Sequence, residues 1–296
     1  MRPFVLAGAI LLLSLGLAPG AATAQETEQA EALPSCGDCH EQAAAFTNNP
    51  HARGTAHGEA VANAVCESCH GDGTAHIEAG GDPTLITVPK GRVGAEGACL
   101  QCHDTTTDRR SHRTGAHATS EAVNCFSCHS IHHAEPRAAR LLKKQEPELC
   151  SSCHGTQTAS LRNKPYAHKV GHGGMECSSC HEPHGRTNRE NLRRTAAGEA
   201  PCLNCHTNLR GPHVFEHGGK SVNDCMTCHE PHGSNNPRML KRANVWQLCL
   251  ECHTQPHSGA GSQPPSFHNI STARFQNCTT CHVAVHGSNR SPALLK

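Results

Sequence analysis

The chain has 296 residues, with 26 Lys and Arg against 25 Asp and Glu, and a formal net charge of +1. This balance excludes a strongly basic nucleic-acid-binding protein, and it does not indicate an acidic disordered tail. Aromatic residues make up only 3% of the chain, whereas 20 residues are Cys and 26 are His. So few Phe, Tyr and Trp cannot fill the interior of a chain this long, so we expect it to be organised by a group bound to sulfur.

The first 24 residues have the pattern of a secretory signal peptide. Arg2 provides a positive start, residues 4–17 form an apolar run, and Ala22-Thr23-Ala24 matches an A-x-A cleavage site. The apolar run is too short for a transmembrane helix, and no later segment is apolar for long enough. The mature chain is therefore predicted to begin near Gln25 and to be exported to the periplasm. Residues 25–35 are predicted to be a mobile acidic N-terminus.

Every cysteine belongs to a Cys-x-x-Cys-His string, and there are ten such strings. The cysteines are Cys36, Cys39, Cys66, Cys69, Cys99, Cys102, Cys125, Cys128, Cys150, Cys153, Cys177, Cys180, Cys202, Cys205, Cys225, Cys228, Cys249, Cys252, Cys278 and Cys281. The histidines that end the strings are His40, His70, His103, His129, His154, His181, His206, His229, His253 and His282.

The spacing of the motif suits covalent haem. One helical turn places residues i, i+3 and i+4 on one face. Two thiols there can form thioethers to the vinyl groups of one haem, while the adjacent His reaches the iron from the same side. A thioredoxin-like redox pair, a zinc ribbon or a disulfide scaffold does not require a His after the second Cys. The sequence therefore predicts ten covalently bound haem c groups.

The 16 histidines outside the motifs are candidates for the second axial ligand of each iron. Met also serves in cytochromes c, but after signal removal only Met175, Met226 and Met239 remain. We therefore expect two histidines on each iron. Such an iron has no open position for a substrate, so the ligand set favours electron transfer over catalysis.

The motifs form five couples, and the resulting internal repeat is about 50 residues long. We predict as second ligands the His nearest before each second motif and the His just after it: His57, His76, His117, His132, His172, His184, His217, His232, His268 and His286. The reserve candidates are His51, His112, His168, His213 and His257. The first couple is the most ambiguous, because His76 lies six residues past His70 whereas His184 and His232 lie three past theirs.

The predicted fold is a multihaem cytochrome c of short α-helices and loops with almost no β-structure. Five two-haem repeats, at about 36–98, 99–149, 150–201, 202–248 and 249–296, are expected to form an elongated, haem-packed stack because repeats mainly contact their neighbours. Longer helices are expected within residues 135–148 and 240–253. Residues 80–97, the longest gap between couples, are expected to form a surface loop.

Several strings resemble the periplasmic decahaem cytochromes of the MtrA/DmsE family. They are Cys-His-Ser-Ile-His at 128–132, Cys-His-Glu-Pro-His-Gly at 180–185 and 228–233, Cys-His-Val-Ala-Val-His-Gly-Ser-Asn at 281–289, and Gly-Pro-His-Val-Phe-Glu-His at 211–217. The resemblance implies bis-His haems that form a wire inside an outer-membrane β-barrel protein. It also implies a periplasmic or inner-membrane electron donor or acceptor and an extracellular multihaem cytochrome or other external redox partner.

Two other functions fit parts of the pattern. A diffusible periplasmic shuttle to a terminal reductase needs the same motifs without the barrel. A multihaem reductase needs an iron with an open position, and 16 spare histidines give no sign of one. The propionates should make the holoprotein anionic, at about −10 when oxidised and about −20 when reduced, so we expect a partner that presents Lys or Arg.

Overall fold

A computed structural model describes most of the chain that carries the motifs. The described residues are 33–47, 49–52, 56–57, 60–61, 63–103, 115–133, 139–172, 174–185, 190–253 and 272–295, with only the backbone at 45, 56–57, 60–61 and 222. Every described helix and strand lies in one compact unit, Ser35–Lys296. The unit consists of short helices joined by loops, which confirms the predicted fold class.

The α-helices of the described residues are between 4 and 13 residues long. They are Cys36–Cys39, Gln42–Phe46, Asn63–His70, Thr74–Glu78, Gly91–His103, Ala116–Thr119, Cys125–Cys128, Glu146–Ser151, Gly155–Asn163, Val222–Cys228 and Val245–His253. The only described β-strands are Ala56–His57 and Ala60–Val61, which pair antiparallel with Ala56 opposite Val61.

Short 3-10 turns complete the secondary structure of these residues. They are Pro50–Ala52, Pro83–Leu85, Ala139–Leu141, Cys177–Ser179, Pro201–Asn204, Thr207–Leu209, Pro237–Met239, Ala273–Phe275 and Cys278–Thr280. Each motif begins in one helical or 3-10 turn, so the local structure of the chain is largely that of the motifs themselves.

Two expectations about longer elements were wrong. Residues 139–145 do not continue a helix, because Arg140 and Leu141 have φ angles of 61° and 57°. A helix begins only at Glu146, where Pro147 stands in the first turn. Residues 91–97 are not loop but the start of the helix Gly91–His103. The helix expected within 240–253 is present as Val245–His253.

The polypeptide itself supplies almost no core. Among the described residues the buried apolar side chains are Ala52, Val65, Ala95, Ala118, Ala200 and Leu203, and no large side chain is fully buried. A domain of this size normally buries far more apolar surface. A bound apolar group is therefore needed to fill the interior. No helix in this part of the chain is long and apolar enough to cross a membrane.

Candidate functional site

Each motif folds as a single turn that presents its three reactive side chains together. The backbone N–H of His40 donates to the carbonyl of Cys36 at 2.9 Å, and the His129–Cys125 pair repeats this bond at the same distance. This bond closes one turn and places the residues at i, i+3 and i+4 on one face. All twenty cysteines are free thiols rather than disulfides, so both thiols of every motif are available for thioethers.

Nine of the ten motif histidines face a second histidine ring across a gap of constant width. The ring centroids are 5.9 to 6.5 Å apart. The pairs are His40–His76, His51–His103, His70–His132, His117–His154, His129–His184, His168–His206, His181–His232, His217–His253 and His229–His286.

The width of this gap matches a metal bound between two imidazoles. Metal–nitrogen bonds of about 2 Å on each side, plus about 1 Å from each ring nitrogen to its centroid, put the centroids about 6 Å apart. Each gap therefore has the dimensions of a bis-histidine metal site.

The other ring nitrogen of many of these histidines is hydrogen-bonded to the backbone. The Nδ1–H of His70 donates to Thr87 O at 2.8 Å, and that of His76 donates to Asp82 O at 2.8 Å. Further Nδ1–H bonds join His129 to Arg140 O, His181 to Glu190 O, His229 to Arg238 O and His282 to Ala293 O. A proton held on Nδ1 leaves Nε2 as the metal-binding nitrogen and fixes the ring orientation.

The carbonyls that hold the second motif of a couple come from tight return loops. Arg140 and Arg238, whose carbonyls accept from His129 and His229, both lie in the left-handed region with φ angles of 61° and 59°. A left-handed residue turns the chain sharply back, so its carbonyl faces the motif it has just left. The sequence offers no glycine at these positions to signal the turn.

Burial keeps several of these imidazoles neutral. Burial is the main cause that lowers the pKa of His129, His132, His232 and His286, and a neighbouring histidine lowers each of them further. A neutral imidazole is the form that binds a metal. In these four imidazoles burial thus favours the form that binds a metal.

The predicted second ligands agree with the ring pairs at seven positions. His76, His117, His132, His184, His217, His232 and His286 each face a motif histidine. The side chain of His57 lies outside the described residues, as do His112, His257 and His268. His133 stands edge-on against His132 rather than opposite a motif histidine.

At two positions a reserve candidate, and not the predicted ligand, faces the motif histidine. His51 faces His103, and His168 faces His206. Within the described residues His172, the predicted ligand, is exposed and its ring meets no motif histidine, because the chain turns away at Gly171 with a φ of 80°. The reserve candidate His213 is likewise unpaired with a motif histidine in this part of the chain.

The spacing along the sequence contains a signal that identifies His51 and His168. His51 lies 11 residues after His40, as His217 does after His206. His117 and His168 each lie 14 residues after the preceding motif histidine. His57 and His172 fit neither interval. The same spacing gives no indication of which motif each ring faces, because the partners come from other couples.

The cysteines of successive motifs lie side by side. The pKa of the Cys66 thiol is raised to about 11 by burial and by Cys36, and that of Cys225 is raised to about 11 by burial and by Cys202. The pKa of Cys249 rises to about 12 by burial and by Cys278. A hydrogen bond with Cys125 raises the pKa of Cys99 strongly. A hydrogen bond with Cys177 likewise raises the pKa of Cys150. The two motifs of every couple therefore meet at their first cysteines.

Adjacent couples also come near one another, at other cysteines. After burial, a nearby thiol raises the pKa of Cys128, Cys180 and Cys228. The neighbouring pairs that link one couple to the next are Cys69–Cys99, Cys128–Cys153, Cys180–Cys205 and Cys228–Cys252. The ten motifs thus follow one another in space in the order in which they follow one another in the chain.

The donor set fits haem rather than a metal caged by protein alone. In the described part of the chain no three His, Cys, Asp or Glu side chains converge on one point. A structural zinc site requires four such ligands. Two opposed imidazoles would hold a metal from two sides, and a macrocycle bonded to the adjacent thiols would supply its remaining ligands.

Comparisons with known protein families also indicate haem binding. The family described as "Doubled CXXCH motif" matches residues 117–159, 168–211 and 217–258, and "Cytochrome c7 and related cytochrome c" matches residues 22–104. Paired imidazoles beside Cys-x-x-Cys-His turns define a multihaem c-type cytochrome, a class of electron-transfer proteins that bind haem c covalently.

The relatives narrow this class further. The chain is 36% identical over 244 residues to "Multiheme cytochrome MtrA" of Shewanella baltica (strain OS185), an alignment covering 77% of this chain and 69% of the relative. It is 26% identical over 148 residues to "Cytochrome c-type protein NrfB" of Escherichia coli O6:H1, covering 47% of this chain and 74% of that protein. The chain belongs to the MtrA family of multihaem cytochromes.

Proposed function

We propose that the chain binds ten haem c groups and carries electrons along them across the outer membrane, between periplasmic carriers and an extracellular redox partner. Bound haem c supplies an iron that takes up and releases single electrons. The twenty motif cysteines anchor the groups, and the motif histidines provide one imidazole to each iron. The second imidazoles are those of the nine ring pairs, with His51 and His168 in place of His57 and His172. For His282 the proposal keeps His268.

The proposal rests on one observation: each motif lies next to the following motif, without a gap along the series. Every motif has a cysteine beside a cysteine of the next, from Cys36 and Cys66 at one end to Cys249 and Cys278 at the other. Thioether anchors this close hold the attached groups at short range. The polypeptide therefore supports a single path with two ends, as a conduit requires.

Backbone hydrogen bonds support the same function. Imidazoles fixed through Nδ1 would keep their orientation when a bound iron changed oxidation state, so little reorganisation would oppose electron transfer. Two such ligands also exclude water and substrate from the iron. The chain is therefore proposed to transfer electrons without catalysing a reaction of its own. A high-spin signal in the oxidised holoprotein would instead reveal an open iron and an enzymatic role.

The proposed location follows from the signal peptide pattern and the family. The mature chain is proposed to lie in the periplasm and to sit within an outer-membrane β-barrel protein. Its periplasmic or inner-membrane partner would exchange electrons at one end of the path. An extracellular multihaem cytochrome or other external redox partner would do so at the other.

Gentle extraction of the native outer membrane tests the conduit. The chain would be isolated through a small tag and its co-purifying proteins identified and quantified. We expect a β-barrel protein in a 1:1 ratio, and electron transfer across liposomes that contain the complex. Recovery of the chain alone from the periplasmic fraction would contradict this and favour a diffusible shuttle.

A further inference from the structure

A recurring hydrogen bond links the histidine ligands of neighbouring couples. In three places a second-ligand histidine donates its Nδ1–H to the backbone carbonyl just before another second-ligand histidine. These bonds join His117 to Pro183 O at 2.9 Å, His168 to Pro231 O at 3.0 Å and His217 to Val285 O at 2.9 Å. The residues that follow the three carbonyls are His184, His232 and His286.

The first instance of this arrangement contains an additional residue. The equivalent carbonyl is that of Ile131, which precedes His132, and the equivalent imidazole is that of His51. The Nδ1–H of His51 donates to Asn49 Oδ1 at 3.0 Å, and Asn49 Nδ2 donates to Ile131 O at 2.7 Å. The amide thus lies between two groups that are bonded directly in the later repeats.

The orientation of the Asn49 amide is determined by its neighbours. The backbone N–H of His51 also donates to Oδ1, at 3.0 Å, so this atom must be an acceptor. The carbonyl of Ile131 accepts hydrogen bonds only, so the atom facing it must be the NH₂ group. The Asn49 side chain is only 9% exposed, so water cannot readily replace these bonds.

We propose that Asn49 is a positioning residue for the iron of the third motif, which relays the carbonyl of Ile131 to the imidazole of His51. This inference rests on the proposed function, since it assumes that His51 and His103 bind one iron. The acceptor on Nδ1–H makes His51 a stronger electron donor to that iron and stabilises the ferric state. The bond to Ile131, 82 residues along the chain, fixes this ligand to the turn that carries His132.

Two substitutions in the full-length holoprotein separate positioning from a structural tether. Asn49→Leu removes both bonds. Asn49→Asp keeps an acceptor for Nδ1–H but loses the donor to Ile131. We expect the Leu variant to raise the midpoint potential of one haem in ten, and the Asp variant to lower it, because a carboxylate accepts more strongly than an amide. A pure tether predicts shifts in the same direction for both, since both variants lose the Ile131 bond.

The measurement is a potentiometric titration followed by visible absorption and by the low-spin electron paramagnetic resonance signals. Thr47→Ala is the matched control, because the exposed Thr47 hydroxyl bonds only the local carbonyl of Ala44. Its titration should coincide with that of the wild type. Coincidence of the Leu variant with the wild type, or shifts in the same direction for Leu and Asp, would overturn the inference.

A third substitution distinguishes failure of this inference from failure of the ligand assignment. His51→Met replaces an imidazole by a thioether, which raises the potential of the iron it binds. A change in one haem with His51→Met but none with the Asn49 variants would overturn only the role of Asn49. No change with His51→Met would overturn the assignment of His51 itself. Neither result depends on whether the chain binds a β-barrel protein.

Discussion

His168 and His172 lie four residues apart, yet only His168 faces a motif histidine. The difference lies in what meets the other ring nitrogen. The Nδ1–H of His168 has Pro231 O at 3.0 Å, and the side chain is partly buried, whereas His172 is exposed. The histidine that faces the motif is thus held by an acceptor 63 residues away, which no local pattern reveals.

Alanine at these two positions gives a direct test of the assignment. His168→Ala should remove one of the two imidazoles from one iron, so about a tenth of the haem should become high-spin or change its potential. His172→Ala should leave the spectrum of the holoprotein unchanged. Electron paramagnetic resonance of the oxidised protein measures both. The opposite ranking of the two variants would restore His172 as the ligand.

Short loops after the second motifs are the elements that hold the sites together. After each of His184, His232 and His286 comes a glycine with positive φ, which lets another segment approach closely. At Gly287, with a φ of 131°, an added Cβ would overlap the ring of His213. The loop can therefore pack against the segment that leads to His217 only because residue 287 has no side chain.

Gly287→Ala should destabilise the holoprotein by about 3 kcal/mol or more, because the strain of positive φ adds to a steric clash. Gly80→Ala is the matched control, since Gly80 also has a positive φ, of 67°, but an added Cβ there meets nothing within 4 Å. It should cost only about 1 kcal/mol. Denaturant unfolding monitored by haem absorption measures both. Equal losses would show that strain alone, and not contact with His213, matters at residue 287.

At the scale of the whole molecule, charge and shape depend on the bound groups. The polypeptide is almost neutral, with 26 basic and 25 acidic residues, and haem propionates should make the holoprotein strongly anionic. Such a molecule attracts basic partners over distances limited by the salt concentration.

We therefore expect association with a basic redox partner to slow as the ionic strength rises. Stopped-flow mixing of the reduced holoprotein with a basic electron acceptor at about 10 to 500 mM salt measures this, since the Debye length falls from about 30 Å to a few Å over that range. An acidic acceptor of similar potential is the control and should react faster with added salt. A rate that does not respond to salt for either acceptor would contradict the prediction.

Much of the site could be predicted from the sequence because its chemistry is local. The Cys-x-x-Cys-His turn needs only five consecutive residues, so every copy of the motif was identifiable. The histidine ring pairs depend on long-range contacts, and the rule of the nearest histidine before the second motif did not select His51 or His168, which face His103 and His206. The sequence also did not predict the left-handed turn at Arg140. Non-glycine residues rarely adopt this conformation, and an Arg-rich segment has the composition of a helix.

The pairing of histidines from different couples affects how the molecule unfolds. Proteins built of stacked repeats usually lose their end units first, since each unit is stabilised only by its neighbours. Here His286, beyond the last motif, faces His229 in the preceding couple, and His51 of the first couple faces His103 of the second. Fraying at either end therefore removes one ring of a histidine pair whose other ring lies in the neighbouring couple. The repeats should melt together, and a chain shortened by one couple should damage the couple that it leaves behind.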